Sequence, residues 1–501
     1  MGPNASHDNS AVENEDIPFD RLPRIAVVGG GITGLAAAAF LSGAAGRGGP
    51  RGQVMVLEQS DRVGGKLRTG EVGGISVDLG AESMVTRRPE ALTLARQVGL
   101  ADELEPPRPA RASIWTCGRL RPIPTGQLMG VPGDLDALEE SGILSAAGME
   151  RARLDLDLPR TEVGADIAIG EFVAAQVGQE VVDRLVDPLL GGVYAGQADQ
   201  ISLGAAVPQL LPVARTRRSL VEGVRELQER ARAAATGTQA PVFQGIRGGL
   251  GRLPTAVAEA VVAAGAQIRT GTKVRSLRRT ADSWVIELGD GEGANELTFD
   301  AVVLAVPAPA ASGILAKIAP AAAAELSTVD HASVALVSMA FQRVDLSEVP
   351  KGSGFLVPSV DGRTIKASTF SSNKWNWLAE SAPHQFVLRT SVGRHGEEAV
   401  LDLTDDELVA RSLTDLKEAV GLQATPFATE VTRWYQGLPQ YPVGHLDKVN
   451  RIRQHLKALN SLSICGAAFN GVGIPACISS AEQAVEDISD ALAAVNDSRR
   501  Q

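Results

Sequence analysis

The sequence predicts an α/β fold organised around a parallel sheet, and three observations predict it. An apolar strand, Arg24-Ile25-Ala26-Val27-Val28, runs into the turn Gly29-Gly30-Gly31-Ile32-Thr33-Gly34 and an Ala-rich helix. A second apolar run, Val54-Met55-Val56-Leu57, ends in an acid, Glu58. A continuous apolar strand returns far downstream at residues 301–306, and a buried-type strand at 462–466, with stretches of different character between them. Strands covered on both faces read as unbroken apolar runs. The sheet is therefore expected to be discontinuous, drawing on the start, middle and end of the chain.

The first strand–turn–helix unit carries chemistry. Gly29, Gly31 and Gly34 fit G-x-G-x-x-G, in which the first glycine permits the tight turn, the second lets a pyrophosphate reach the backbone, and the third lets helix and strand pack closely. With 53 glycines among 501 residues, chance alone produces the pattern roughly 0.6 times, so the glycines need their context. The context is present. A helix opening at Ile32 turns unpaired N–H groups toward a phosphate, and a carboxylate closing the next strand accepts hydrogen bonds from a ribose diol. The reading is a Rossmann-type dinucleotide site; the alternative is a glycine-rich turn that binds nothing.

Residues 43–53 are rich in Gly and Arg and read as a surface loop. They are followed by Arg62-Val63-Gly64-Gly65-Lys66, a strand ending Val77-Asp78-Leu79-Gly80, and a helix after Pro89. Residues 106–240 change character, with a short strand signal at Ile114-Trp115, helical patterns at 167–176 and 180–190, and a polar loop near Thr236. β structure returns at 266–269 and 272–274 and in the alternating run Ser283-Trp284-Val285-Ile286-Glu287-Leu288. Residues 331–436 supply further strands and one helix, 405–420. The turn Gly471-Val472-Gly473-Ile474-Pro475 leads into a last helix, 478–495. The expected organisation is an acidic tail (1–21), a nucleotide domain in three pieces (22–84, 241–307 and 445–496), a mixed-sheet substrate domain (85–105 with 308–444) and an inserted helical domain (106–240).

A net charge of −11 argues against a nucleic-acid partner, while a local arginine cluster can still hold an anion. Cys117, Cys465 and Cys477 form no C-x-x-C, and the six histidines show no ligand spacing. Neither a disulfide framework nor a metal site is expected, and the cysteine usage fits a reducing, cytoplasmic setting. Residues 1–20 hold five acids and no Lys or Arg, unlike a secretory signal. No stretch reaches about 18 uninterrupted apolar residues, so no transmembrane helix is expected; peripheral membrane contact stays open.

Several motifs coincide in order: the turn at 29–34, Glu58, residues 62–66, Asp187-Pro188-Leu189-Leu190-Gly191-Gly192-Val193-Tyr194-Ala195-Gly196, Pro439-Gln440-Tyr441-Pro442-Val443-Gly444-His445, and Gly473-Ile474-Pro475-Ala476-Cys477-Ile478. Over residues 22–495 the chain resembles the FAD-dependent porphyrinogen oxidases of the flavin amine oxidase superfamily, most closely the soluble Gram-positive-type coproporphyrinogen III oxidases. The resemblance implies non-covalent FAD in an extended pose. Glu58 would bind the adenosine ribose. Gly29, Gly30, Gly31, Ile32, Thr33 and Gly34, with Gly64, Gly65 and Lys66, would surround the pyrophosphate. Val274 would offer its backbone to the adenine, and Gly466, Val472, Gly473 and Ile474 would line the ring end. It also implies a porphyrinogen substrate, dioxygen as acceptor, hydrogen peroxide as product and ferrochelatase as a possible partner in haem synthesis.

The chemistry then resides in the cofactor, and no catalytic side chain is singled out. Arginine is the natural carboxylate anchor, so Arg88 and then Arg87 are the leading contacts for substrate propionates. Arg108, Arg111, Arg119, Arg121, Lys374 and Arg394 are further candidates. Tyr194 and Phe469 are candidate substrate contacts, each weighed against plain packing. His445 is weighed as a base against a structural histidine, and Trp375 and Trp377 as an apolar wall against core. The residues before the last glycine turn, Ala467-Ala468-Phe469, lack the aromatic pair by which amine oxidases of this superfamily cage an amine. Protoporphyrinogen IX oxidase is the nearest rival. An amine oxidase or carotenoid desaturase, and a non-catalytic flavoprotein partner in haem synthesis, stand behind it.

Overall fold

A computed structural model describes residues 22–46, 48–234, 241–289 and 295–500. The expected acidic tail and Thr236 lie outside the described residues. At the centre is a five-stranded parallel sheet of strands Gln267–Arg269, Gln53–Leu57, Arg24–Val28, Ala301–Leu304 and Leu462–Ile464, in that order. Alternation along the first strand divides the core. Ile25 and Val27 face the helices Ile32–Ser42, Glu90–Gln97, Arg252–Ala263 and Ile474–Arg500. Ala26 and Val28 face a three-stranded antiparallel sheet, Val274–Arg279, Trp284–Leu288 and Glu296–Phe299, and the helices Ala308–Leu315, Pro320–Ser327 and His445–Leu456.

A seven-stranded sheet forms the second layer system. Its order is Ala428–Pro439, His331–Gln342, Gln385–Val392, Ile365–Thr369, Gly354–Leu356, Ala112–Thr116 and Arg119–Pro122. One face buries Phe355, Phe386, Leu388 and Val392 against the helix Asp405–Val420. That helix opens on a capping box between Thr404 and Glu407 and stops at Gly421 in the left-handed conformation, the arrangement its sequence favours. A third, helical core is built from the helices Leu135–Ser141, Ile169–Val177, Asp187–Tyr194, Leu210–Thr216 and Leu220–Ala234.

Several expected boundaries do not follow the packing. The segment 85–105 was assigned to the substrate domain, but Ala91, Leu94, Ala95 and Leu100 bury in the nucleotide core. Residues 308–329 likewise pack under the parallel sheet, because their small, apolar faces match the strand side chains above them. Ala112–Thr116 and Arg119–Pro122 extend the large sheet rather than the helical unit. The last helix begins at Ile474, not 478: a proline in the first turn forfeits no helical hydrogen bond.

The sheets are joined by buried charge. The Glu82 carboxylate is paired with Lys374 and Arg389 of the large-sheet layer. Arg389 also donates to the carbonyl oxygens of Gly80 (2.7 Å) and Asp78 (3.2 Å), and the Trp434 indole donates to Leu79 O at 2.8 Å. Burial works to raise the pKa of Glu82, but Arg389 and Lys374 outweigh it and hold the carboxyl below its ordinary range.

A Cβ added at Gly34 would run into the carbonyl oxygen of Gly29, and Ala305 closes the other side. Backbone cannot yield there as a flexible side chain would, so Gly34→Ala is expected to destabilise the protein by about 1–3 kcal/mol or more. Chemical denaturation of the purified variant measures this.

Candidate functional site

The two glycine loops form one slot. Gly29 has φ 105° and donates to Leu57 O at 2.8 Å, which ties the turn to the neighbouring strand. Gly64 donates to Gly30 O at 2.8 Å, so the second loop lies directly against the first. Arg62 braces that loop by donating to Val63 O (3.1 Å) and Gly65 O (2.8 Å). Gly31 differs from its neighbours: a Cβ there meets nothing within 4 Å. The three glycines of the motif therefore have separate physical roles, and only Gly31 borders open space. The helix behind it has no side-chain cap, leaving its first N–H groups to a ligand or water.

Glu58 closes one end. Its Oε2 accepts from Gly30 N at 2.6 Å, and its Oε1 accepts from Ser60 N (2.8 Å) and faces Ser60 Oγ (2.7 Å). An ionised carboxylate has about four acceptor positions, so capacity remains for a ribose hydroxyl. The chain leading to Val274 passes alongside: Thr272 N donates to Glu58 O (2.8 Å) and Gly271 N to Ser60 O (2.7 Å). Val274 thus starts its strand beside the acid.

At the other end the two helix N-termini meet. Thr33, in the first turn of Ile32–Ser42, lies beside the Cys477 thiol, in the first turn of Ile474–Arg500, which donates to Gly471 O and Val472 O at 3.9 Å. Burial raises the pKa of Cys477, while Thr33, Lys66 and Arg88 pull it back. Lys66 is reached by solvent, but the protein around it pushes its ammonium below the ordinary lysine range. It lies within electrostatic reach of His331, whose Nδ1 is 2.8 Å from Val329 O and whose pKa is lowered by burial and further by Lys66. Gly466 (φ 132°) and Gly471 (φ 126°) shape the approach. Gly466 N donates to Ser480 Oγ at 3.0 Å, Val472 leans on the helical core, and Gly473 stays exposed.

Beyond this end stands an aromatic wall. The Tyr194 and Tyr441 rings are 5.5 Å apart, and Tyr441 stacks on His445 at 4.1 Å. The Tyr441 hydroxyl donates to Ala467 O. Burial pushes Tyr194 up to about 12, and only exposed Arg87 opposes it. Tyr194 and Arg87 therefore belong to one cluster. Sequence reasoning passed over His331 and treated Tyr441 only as part of a motif. The apolar and polar neighbours that give these side chains their setting come from distant segments.

Other candidates fall elsewhere. Phe469 is 3% exposed and packs with Val28, Val449 and Ile452 under the parallel sheet, so it does not floor a substrate; Gly466 turns the chain, and Phe469 N folds back to its carbonyl. Arg88 is paired with Glu90 at 2.6 Å, which leaves only part of its guanidinium for an anion. Lys374 is committed to Glu82. Trp375 and Trp377 are core. Arg119 and Arg121 sit on the outermost strand of the large sheet, and Arg108 and Pro109 line a separate surface cavity of about 350 Å³ with Gly352 and Asn373. His445 is buried beneath Tyr441, and burial lowers its pKa to about 4.

An open slot at Gly31, an acid with spare acceptor capacity, two convergent helix N-termini and an accessible lysine suit an extended dinucleotide. These features define a nucleotide-dependent redox fold. The chain belongs to the flavin containing amine oxidoreductase family, which it matches over residues 32–489, and a flavin is thus the cofactor class of the cleft. It is 32% identical to the coproporphyrinogen III oxidase of Bacillus subtilis, over 93% of this chain and 98% of that one. It is 36% identical to the coproporphyrinogen III oxidase of Mycobacterium leprae, over 92% and 97%. The crystal structure of a protoporphyrinogen oxidase candidate from Exiguobacterium sp. 255-15 superposes with a TM-score of 0.80 at 31% identity, covering 93% of this chain and 98% of that one. Among the described residues no cluster could hold a metal ion and no helix is long and apolar enough to cross a membrane.

Gly31 has an extended backbone (φ −71°, ψ 176°) that alanine adopts freely. Gly31→Ala is expected to leave the apoprotein's unfolding midpoint unchanged while weakening flavin binding at least about tenfold, or 1.4 kcal/mol; flavin titration beside a melting curve separates the two. For His445 the folded pKa lies below the ordinary value of 6.5. The stability it contributes is complete above that value and is lost as pH falls from 6.5 toward 4, a change of about 3 kcal/mol. In His445→Gln that part of the pH dependence should vanish, as read from urea unfolding at pH 7 and at pH 4.5.

Proposed function

We propose that this protein oxidises coproporphyrinogen III to coproporphyrin III with non-covalently held FAD, passing electrons to dioxygen. The carrying observation is full-length similarity to two proteins of that name, with more than nine-tenths of each chain covered. Bound in the cleft, FAD supplies two-electron oxidation, so three rounds remove six electrons and six protons while three dioxygen become three hydrogen peroxide. Non-covalent attachment is supported by the thiol at the ring end: Cys477 is buried, donates to Gly471 O and Val472 O and is raised in pKa, which keeps it protonated and a poor nucleophile.

The chain's own residues bind and orient. Glu58 takes the ribose, and Lys66 with the two helix N-termini offsets the pyrophosphate charge. Arg87 and the free part of Arg88 present positive charge beside Tyr194 to substrate carboxylates. Tyr194, with its pKa near 12, stays neutral and can donate a hydrogen bond but not act as a base. His445 keeps a neutral ring but is sealed under Tyr441, so protons leave through the macrocycle nitrogens and water. The Exiguobacterium likeness favours one second reading, protoporphyrinogen IX as substrate.

Denatured protein should release its yellow cofactor into the filtrate. In parallel fluorimetric assays coproporphyrinogen III should turn over faster than protoporphyrinogen IX. The reverse order selects the second reading, and turnover of neither removes both.

A further inference from the structure

Two buried cations lie at the seam between the large sheet and the helical unit, along the helix that ends at Tyr194. Lys366, on the strand Ile365–Thr369, is 7% exposed, and Arg394, just past the strand Gln385–Val392, is 6% exposed. The pairing of these strands breaks register between Ile365 and Ala367, so Lys366 sits in an irregularity of the ladder. Arg394 donates to Val357 O at 2.9 Å, and its nearest carboxylate oxygen, on the half-exposed Glu397, is 3.7 Å away. The backbone carbonyl of Lys366 accepts from Val357 N at 2.9 Å, but its ammonium has no hydrogen-bond or ion-pair partner among the described residues. The neighbouring acid, Asp187, spends its oxygens on Ala198 N (3.2 Å) and Ser359 Oγ (2.9 Å).

An ammonium in the interior without a counter-ion is costly. Burial, and then Arg394, lower the Lys366 pKa to about 7, so a carboxylate arriving there would find a partner whose charge it restores. The position is also suggestive. Asp187, within electrostatic reach of Arg394, begins the eight-residue helix Asp187–Tyr194, whose last residue is within electrostatic reach of Arg87. The backbone beside Arg394 meets the Tyr194 end, where His395 N donates to Ala195 O at 2.7 Å, but the Arg394 guanidinium bonds Val357 O, two residues before the Ser359 that bonds Asp187. An eight-residue helix spans about 12 Å, comparable with the width of a tetrapyrrole. Cations at its two ends suit carboxylates on opposite edges of one ring.

We propose that Lys366 with Arg394 anchors a propionate on the edge of the substrate away from Arg87, and so selects a tetrapyrrole with four propionates over one whose two propionates share an edge. This rests on the porphyrinogen oxidase reading. The test uses the flavin-loaded protein and porphyrin products, titrated by fluorescence quenching. Lys366→Met should weaken coproporphyrin III binding tenfold or more. It should change the affinity for protoporphyrin IX and for coproporphyrin tetramethyl ester less than twofold. Its flavin content should be unchanged and its unfolding midpoint no lower, since the substitution removes an unpaired buried charge. Unaltered coproporphyrin affinity, or equal loss for the acid and the ester, overturns the anchor. If Lys366→Met does not fold, Lys366→Gln is titrated in its place, and failure of both to fold assigns Lys366 to the scaffold and overturns it as well. A wild-type protein that binds no coproporphyrin sinks the reaction itself, a result distinct from a variant that binds as well as wild type.

Discussion

The contact between Gly34 and the Gly29 carbonyl is the constraint on which the rest of the architecture hangs. It lets the first helix descend onto the parallel sheet closely enough for its own N-terminus, the loop at Gly64 and the N-terminus of the last helix to converge on one point. Any side chain at that crossing would lift the helix, and with it Thr33 away from Cys477. The geometry of the cleft is thus set by backbone clearance before any charged residue is considered. The charges are added to a shape already fixed.

A second layer of control lies in where charge is buried. The chain is acidic overall, yet the cleft presents Lys66, Arg87 and Arg88. Several buried acids are instead spent on structure. Glu82 holds the large sheet to the nucleotide layer. Asp78, raised to about 6 chiefly by burial, accepts from Leu250 N and Gly251 N. Asp155 accepts from Leu220 N and Val221 N within the helical core. Internal carboxylates thus act as joints and caps. Local field, not net charge, decides what such a cleft attracts.

Much of this was legible in the sequence where the signal is local. The turn at 29–34, Glu58, the paired glycines at 64–65 and the turn at 471–475 each impose a backbone requirement that only certain residues meet, and they appear together in one slot. Helices with caps, such as Asp405–Val420, were equally plain. Side chains whose role depends on a distant partner were not. Phe469 reads as a cleft aromatic beside a glycine turn, but the direction of that turn buries it under the sheet. Arg88 reads as a free cation until Glu90 is seen against it. Lys366 carries no sequence signal at all: a lysine in a β run is ordinary, and its missing counter-ion is a property of three dimensions. Boundaries failed for a related reason. Residues 308–329 are small and apolar, and such a face fits either layer until the strands above it are known.

The parallel sheet places residues 24–28 at its centre and residues 462–464 at its edge, and the last helix supplies half of the ring end. A chain emerging from the ribosome therefore completes its first strand–turn–helix long before anything exists to cover it. For most of synthesis the cleft lacks the end that the last helix supplies. Contacts so distant in sequence are slow to form, and the unfinished sheet exposes strand edges meanwhile. Completion of the cleft must then follow synthesis of the last helix, whose apolar face docks into the nucleotide core.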